Sequence, residues 1–144
     1  MRETALISIL WPMLAQIGWT FLLYAWLTFV RWQAVKRGEV DYSEFEFNRA
    51  EPRAVARIRL NLANQFELPA IFYAAIVLLV ALNRVTMVDL IAAWVFFAGR
   101  VVHTLVQTLT DNVPLRGHVF LINFLAATVL VGHLALLALE GVGL

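Results

Sequence analysis

The stretch Leu60–Asn83, LNLANQFELPAIFYAAIVLLVALN, runs for 24 residues with Glu67 as its one formal charge. A helix rises about 1.5 Å per residue and a bilayer's hydrocarbon layer is about 30 Å thick, so this stretch is long enough to cross it. Three more stretches read the same way: Thr4–Val30 and Gly117–Leu139 carry no charge, and Leu90–Thr110 carries only Arg100. Together the four hold 95 of the 144 residues but two of the 21 formal charges. A soluble chain of this length has no interior that could hide a composition 62% hydrophobic and 15% charged, with a mean hydropathy of +0.79. The expected fold is an all-α, integral membrane four-helix bundle. It forms one domain over residues 1–144, with spans at about 4–31, 57–83, 86–110 and 115–140 and a first loop at 32–56.

Composition also excludes function classes. The net charge is +1, and the basic residues are interleaved with acids, so no nucleic-acid surface is expected. Cysteine is absent, which removes disulfides, thiolate metal sites and cysteine nucleophiles. No phosphate-binding loop, metal-ligand cluster or nucleophile with a positioned base stands out. The first apolar stretch is too long for the core of a signal peptide and no small-x-small site follows it, so it reads as a span rather than a removed leader.

Orientation follows from the loops. Arg31, Lys36, Arg37, Arg49, Arg53, Arg57 and Arg59 place seven of the eleven basic residues around the first loop, against Arg84 in the second connection and Arg2 at the N-terminus. The positive-inside rule makes loop 32–56 cytoplasmic, together with the turn between spans 3 and 4, and puts both termini on the opposite face. That turn, Asp111-Asn-Val-Pro114, combines turn formers with a proline that suits the start of the next helix. The first loop also carries five acids and the aromatics Tyr42, Phe45 and Phe47, which makes it an ordered or interfacial connection.

Polar groups inside a bilayer are costly and face a bundle interior or a cavity, so their positions carry the functional reading. In span 2, Arg57, Asn61, Asn64 and Glu67 recur at helical spacing and form one stripe. In span 3, Arg100, His103 and Gln107 do the same. By helical rise, Glu67 lies about 12 Å in from Arg59 and Arg100 about 16 Å in from Asp111, so a desolvated Glu67–Arg100 pair is expected. Arg31 closes span 1 and Arg116 opens span 4 on the same side, and little comparable is expected in the other half of the membrane. This convergence outlines a polar pocket suited to an anionic or zwitterionic small molecule.

Simpler roles remain open for each group. Arg31 and Arg57 could be flanking charges that hold the topology, and the Glu67–Arg100 pair could be glue between helices. His103 could be a satisfied interior histidine. Trp11, Trp19 and Trp26 form a helical stripe expected to face lipid or a subunit, and Pro69 is expected to kink span 2 just beyond the polar stripe.

Two segments resemble the family of membrane-associated proteins in eicosanoid and glutathione metabolism (MAPEG). One is Arg57-Ile-Arg-Leu-Asn-Leu-Ala-Asn64-Gln-Phe-Glu67-Leu-Pro69, similar to the family's Asn-x-x-Glu signature followed by Pro. The other is Arg100-Val-Val-His103-Thr with Val113-Pro114-Leu-Arg116, which looks like the corresponding stretch of the family's microsomal prostaglandin E synthases. The resemblance implies a homotrimer with sites at subunit interfaces, glutathione as co-substrate, and a lipophilic molecule or lipid as the second ligand. It implies that Arg116 stabilises the glutathione thiolate, and that Arg31, Asn64, Glu67, Arg100 and His103 line the glutathione pocket. The chain departs from the pattern at Ala63, Gln107, Gly117 and Phe120, where an arginine and hydroxyl-bearing residues stand in the glutathione-using enzymes. Two activities follow as expectations. One is a glutathione-dependent transferase or peroxidase acting on lipophilic electrophiles; the alternative is a non-catalytic module that binds a lipid or other anionic ligand.

Overall fold

The computed structural model describes residues 8–46 and 51–142. The first helix, α1 (Leu10–Lys36), has no breaker after Trp32 and so continues five residues beyond the expected end at 31. It stops where Gly38 adopts φ +69°, a left-handed conformation that glycine enters without steric cost. There Gly38 N–H donates to Val35 O at 2.9 Å and Glu39 N–H to Ala34 O at 3.1 Å, satisfying carbonyls the helix end would leave bare. Residues 4–7 of the expected first span lie outside the described residues. After a short 3-10 turn at Tyr42–Phe45, α2 (Arg53–Ala63) begins behind Pro52, four residues earlier than expected. The first loop is therefore shorter than 32–56, and its residues 47–50, Phe47 and Arg49 among them, lie outside the described residues.

The second span is not one helix. A 3-10 turn at Asn64–Phe66 follows α2, Glu67 leaves the helical region with ψ −100°, and α3 (Leu68–Ala81) restarts with Pro69 in its first turn. Helix α4 (Met87–Leu109) opens on a capping box in which the Thr86 and Asp89 side chains each bond the other's backbone N–H. Helix α5 (Val113–Val142) opens with Asn112 Oδ1 accepting from Leu115 N–H at 2.9 Å. Four segments, Leu10–Lys36, Arg53–Ala81, Met87–Leu109 and Val113–Gly141, are each long and apolar enough to cross a membrane. Large apolar side chains such as Trp11, Phe21, Leu82, Ile91 and Leu136 point outward along them, where lipid rather than water suits them. The chain is a multi-pass, all-helical membrane protein.

Two apolar clusters hold the bundle. Leu23, Leu27, Ala34, Val55, Ile58 and Leu62 join α1 to α2 near the first loop. Toward the other end, Phe72, Ile76, Leu79, Ala93, Phe96 and Leu130 join α3, α4 and α5, with Phe72 stacked on Phe96 at 4.1 Å between ring centroids. A polar layer at the break in span 2 separates the clusters. Trp19, expected to face lipid or a subunit, turns inward instead and donates from Nε1 to Thr104 Oγ1 at 3.2 Å.

The α4–α5 seam runs antiparallel, with Asp89 against His133, Gly99 against Asn123 and His103 against Phe120. Asp89 is 1% exposed; its carboxylate accepts from Thr86 N–H and Oγ1–H, and His133 Nδ1 lies 2.9 Å from it. The half of the membrane expected to hold little polarity thus contains a buried Asp–His contact. The expectation failed because acid and imidazole lie 44 residues apart, on different helices. Lower in the seam, a Cβ built on Gly99 would collide with Asn123 Oδ1. We expect Gly99→Ala to destabilise the protein in detergent by about 1–3 kcal/mol, overpacking outweighing the helix propensity gained, and Asn123→Ala added to it to restore the melting temperature. Unchanged melting of Gly99→Ala alone would contradict this packing.

Candidate functional site

The site begins with the break in span 2. Pro69 carries no N–H, and in a continuous helix its ring would press on the carbonyl of Gln65, so the ladder opens before the proline. The distortion therefore falls at 64–67, inside the polar stripe rather than beyond it. The 3-10 turn also rotates the stripe. Asn61 and Gln65 turn inward, Asn64 is half-buried, and Glu67 emerges on the outer surface of the bundle.

The expected Glu67–Arg100 ion pair does not form. Arg100, 1% exposed, donates instead from Nη2 to the backbone carbonyl of Asn64 at 2.9 Å. A carbonyl released from the helix ladder has no water partner in hydrocarbon, and a buried guanidinium needs an acceptor, so each satisfies the other.

From this contact a side-chain network spans α1, span 2 and α4. Gln16 Nε2 donates to Gln65 Oε1 at 2.9 Å, and Gln65 Nε2 donates to Asn61 Oδ1 at 3.1 Å. Thr104 Oγ1 donates to the same Asn61 oxygen at 2.9 Å. Asn61 and Asn64 both donate to Gln107 Oε1, at 2.9 and 3.3 Å. Interhelical hydrogen bonds of this kind contribute about 0.6 kcal/mol each in membranes, so the network's main effect is to hold one register. His103 sits beside it, 3% exposed, with its ring 6.2 Å from Phe120 and Nδ1 unpartnered among the described residues.

Arg116, on the first turns of α5, opens onto a pocket of about 210 Å³ shared with Arg53, Arg57, Gln107, Asp111 and Asn112. Asp111 there accepts from both Arg53 and Arg57, and Arg57 Nη1 reaches Thr108 O at 3.4 Å. Arg116 itself has no acidic partner among the described residues, which leaves its guanidinium facing the pocket. Asn64 and Arg100 meet directly and Gln107 links Asn64 to the Arg116 pocket. Glu67, on the outer surface, is not part of it.

Arg31 lies apart as well. Its Nη2 donates to Glu51 Oε1 at 2.7 Å, its guanidinium covers the Phe45 ring at 4.8 Å, and Arg59 Nε donates to Glu51 Oε2 at 2.6 Å. Two arginines from different helices thus clamp one carboxylate that is 3% exposed, tying the end of the first loop to α1 and α2. Burial alone would raise the Glu51 carboxyl; hydrogen bonds from Arg59 and Arg31, with their positive charges, outweigh it and hold the group below its ordinary value.

Sequence reading missed Gln16, Gln65 and Thr104. Gln16 carried a signal, as the one amide in the first apolar stretch. Gln65 was one position off the stripe drawn for an unbroken helix. Thr104 carried none, since a threonine hydroxyl in a membrane helix usually bonds its own backbone. Among the described residues, no group of three or more His, Asp or Glu side chains comes together as a metal site.

With this geometry in place, comparison with known proteins adds one match. The model of the MAPEG family matches residues 9–136. No curated protein and no solved structure matches.

The Glu51 clamp is testable through pH. A carboxyl lowered by folding adds stability above its ordinary range near 4.5 and loses it as pH falls through the depressed value. Glu51→Gln is therefore expected to cost about 1.5–3 kcal/mol at pH 7, with melting curves of variant and wild type converging in acid. A gap independent of pH would count against the clamp.

Proposed function

The chain belongs to the MAPEG family, and from that premise we propose that it is a glutathione-dependent transferase or peroxidase acting on lipophilic electrophiles, with Arg116 as the catalytic residue. One observation carries the reading: Arg116, free of an acidic partner among the described residues, faces a polar pocket at the end of the bundle that bears the first loop. A guanidinium beside a thiol favours the thiolate, and the thiolate is the nucleophile. In conjugation its sulfur forms the new bond to carbon while the leaving group departs with the electron pair. At about 210 Å³ the pocket suits the thiol end of a tripeptide better than the whole of it. The remainder would lie over the pocket's open side, where a second copy in a homotrimer would bring its own Arg31. Asn64 and His103 would stand behind the inner wall, Asn64 joined to it through Gln107, and Glu67 would face that neighbouring copy. Arg100 would support the ligand through Asn64. We place this end of the bundle in the cytoplasm, on the count of basic residues around the first loop.

A second reading, a non-catalytic module that binds a lipid or other anionic ligand, is favoured by two features. Gln107 spends its oxygen on Asn61 and Asn64, and Phe120 offers His103 a ring rather than a hydroxyl. Calorimetry with glutathione and turnover of an aryl halide separate the two. The enzyme reading expects binding and conjugation, with Arg116→Ala cutting turnover about 100-fold or more. Heatless titrations and a wild-type rate equal to buffer would leave only the module.

A further inference from the structure

The amide of Gln107 stands in the wall of the Arg116 pocket, and its two ends have different surroundings. Oε1 accepts from Asn61 Nδ2 at 2.9 Å and from Asn64 Nδ2 at 3.3 Å. Nε2 meets no acceptor among the described residues and stays open to the pocket. The ends of an amide are alike in size and opposite in hydrogen bonding, so whichever one faces the pocket decides whether it attracts an anion or repels it.

The direction is imposed by groups that have no choice of role. The backbone carbonyl of Asn61 can only accept, so Gln65 turns Nε2 toward it at 3.2 Å, and the same nitrogen takes the Asn61 side-chain oxygen at 3.1 Å. Trp19 Nε1 can only donate, so it uses a lone pair of Thr104 Oγ1 at 3.2 Å and leaves the threonine proton for that same Asn61 oxygen, at 2.9 Å. Asn61 Oδ1 thus sits between two donors, and Nδ2 is the end left to meet Gln107. An NH2 group there requires Oε1 opposite it. Reversing the Gln107 amide would set its NH2 against those of both asparagines and strand Asn61, which is 0% exposed, without an acceptor.

We propose that Gln107 is a second catalytic residue of this site, its Nε2 donating to the thiolate sulfur that Arg116 attracts, and that Asn61 is its positioning residue, held in turn by Gln65, Thr104 and Trp19. This role rests on the glutathione reading. The pocket's one acidic side chain, Asp111, is engaged by Arg53 and Arg57, so the sulfur meets donors rather than a competing anion. A hydrogen bond to the charged form favours that form, and a donor aimed beforehand needs no rearrangement when the charge arrives. The thiol's proton leaves to water at the pocket's outer end, where the Asp111 side chain is 68% exposed.

The test uses the full-length protein in detergent micelles with glutathione. Calorimetry reads binding, thiolate absorbance across pH reads ionisation of the bound thiol, and conjugation of an aryl halide reads turnover. Gln107→Met keeps the length of the side chain and removes the donor. It is expected to bind glutathione within about threefold of wild type, to raise the apparent pKa of the bound thiol by about one unit, and to lower kcat at pH 7 by up to about tenfold with KM little changed. The deficit in kcat should shrink as pH passes the raised value. Asn61→Leu should raise the thiol pKa on its own and leave it unchanged when added to Gln107→Met, which a merely structural role would not do. Melting temperatures show which variants fold. If Gln107→Met does not, wild-type protein with isotope-labelled amides in its four glutamine side chains decides. The NH2 resonances of one glutamine should then move as bound glutathione ionises with rising pH, and should not do so with S-methylglutathione, which has no thiol. An unchanged thiol pKa and kcat in folded Gln107→Met, or no such glutamine shift, overturns this role and leaves the Arg116 reading standing; a wild type that binds no glutathione overturns both.

Discussion

A guanidinium inside the membrane and a carbonyl released by a broken helix make the contact on which the rest of the structure depends. Arg100 could not be buried without an acceptor, and span 2 could not break beside Pro69 without a donor for the backbone it exposes. Their meeting at Asn64 O, 2.9 Å apart, meets both demands and fixes how far α4 is slid along span 2. That register lets Asn61, Asn64 and Thr104 reach their partners, and it sets Gln107 in the wall of the arginine pocket.

The same contact sorts the polar residues into those used by the fold and those left for chemistry. Arg100 donates to the backbone, Gln107 accepts from two asparagines, and Arg31 is held with Arg59 by Glu51. Arg116 stands outside these arrangements because the Asn112 cap starts α5 just before it and Asp111 is occupied by Arg53 and Arg57. The functional proposal rests on this remaining cation rather than on the whole set of charges that converge on one side of the membrane. The break that captures Arg100 also places Gln65 and Phe66 in the wall of a cavity between α1 and span 2.

Much of the fold was legible residue by residue, where the signal is local. Long uncharged stretches mark the spans because a bilayer tolerates little else. Asn112 with Pro114 marks a helix boundary through backbone geometry that needs no distant partner; Gly38 and the Thr86–Asp89 box act equally locally, yet sequence reading passed over both. The candidate site was legible in part: the Asn64 and Arg100 neighbourhood was anticipated, while the partner of Arg100 was not. Charge complementarity pointed to Glu67, but a stripe drawn at 3.6 residues per turn assumes an unbroken helix, and the 3-10 turn carries Glu67 to the outer surface.

By itself the sequence determined that this chain is a four-span membrane protein and which end of it gathers cations. These follow from hydropathy and charge, which act over one helix or one loop. Tertiary structure alone decided that Arg100 serves a backbone carbonyl, that Asp89 meets His133, that Trp19 and Gln16 turn inward, and that Arg116 has no acidic partner among the described residues. Those outcomes depend on which helices touch and at what register, and in a low-dielectric interior each buried polar group takes whichever partner that packing brings within reach.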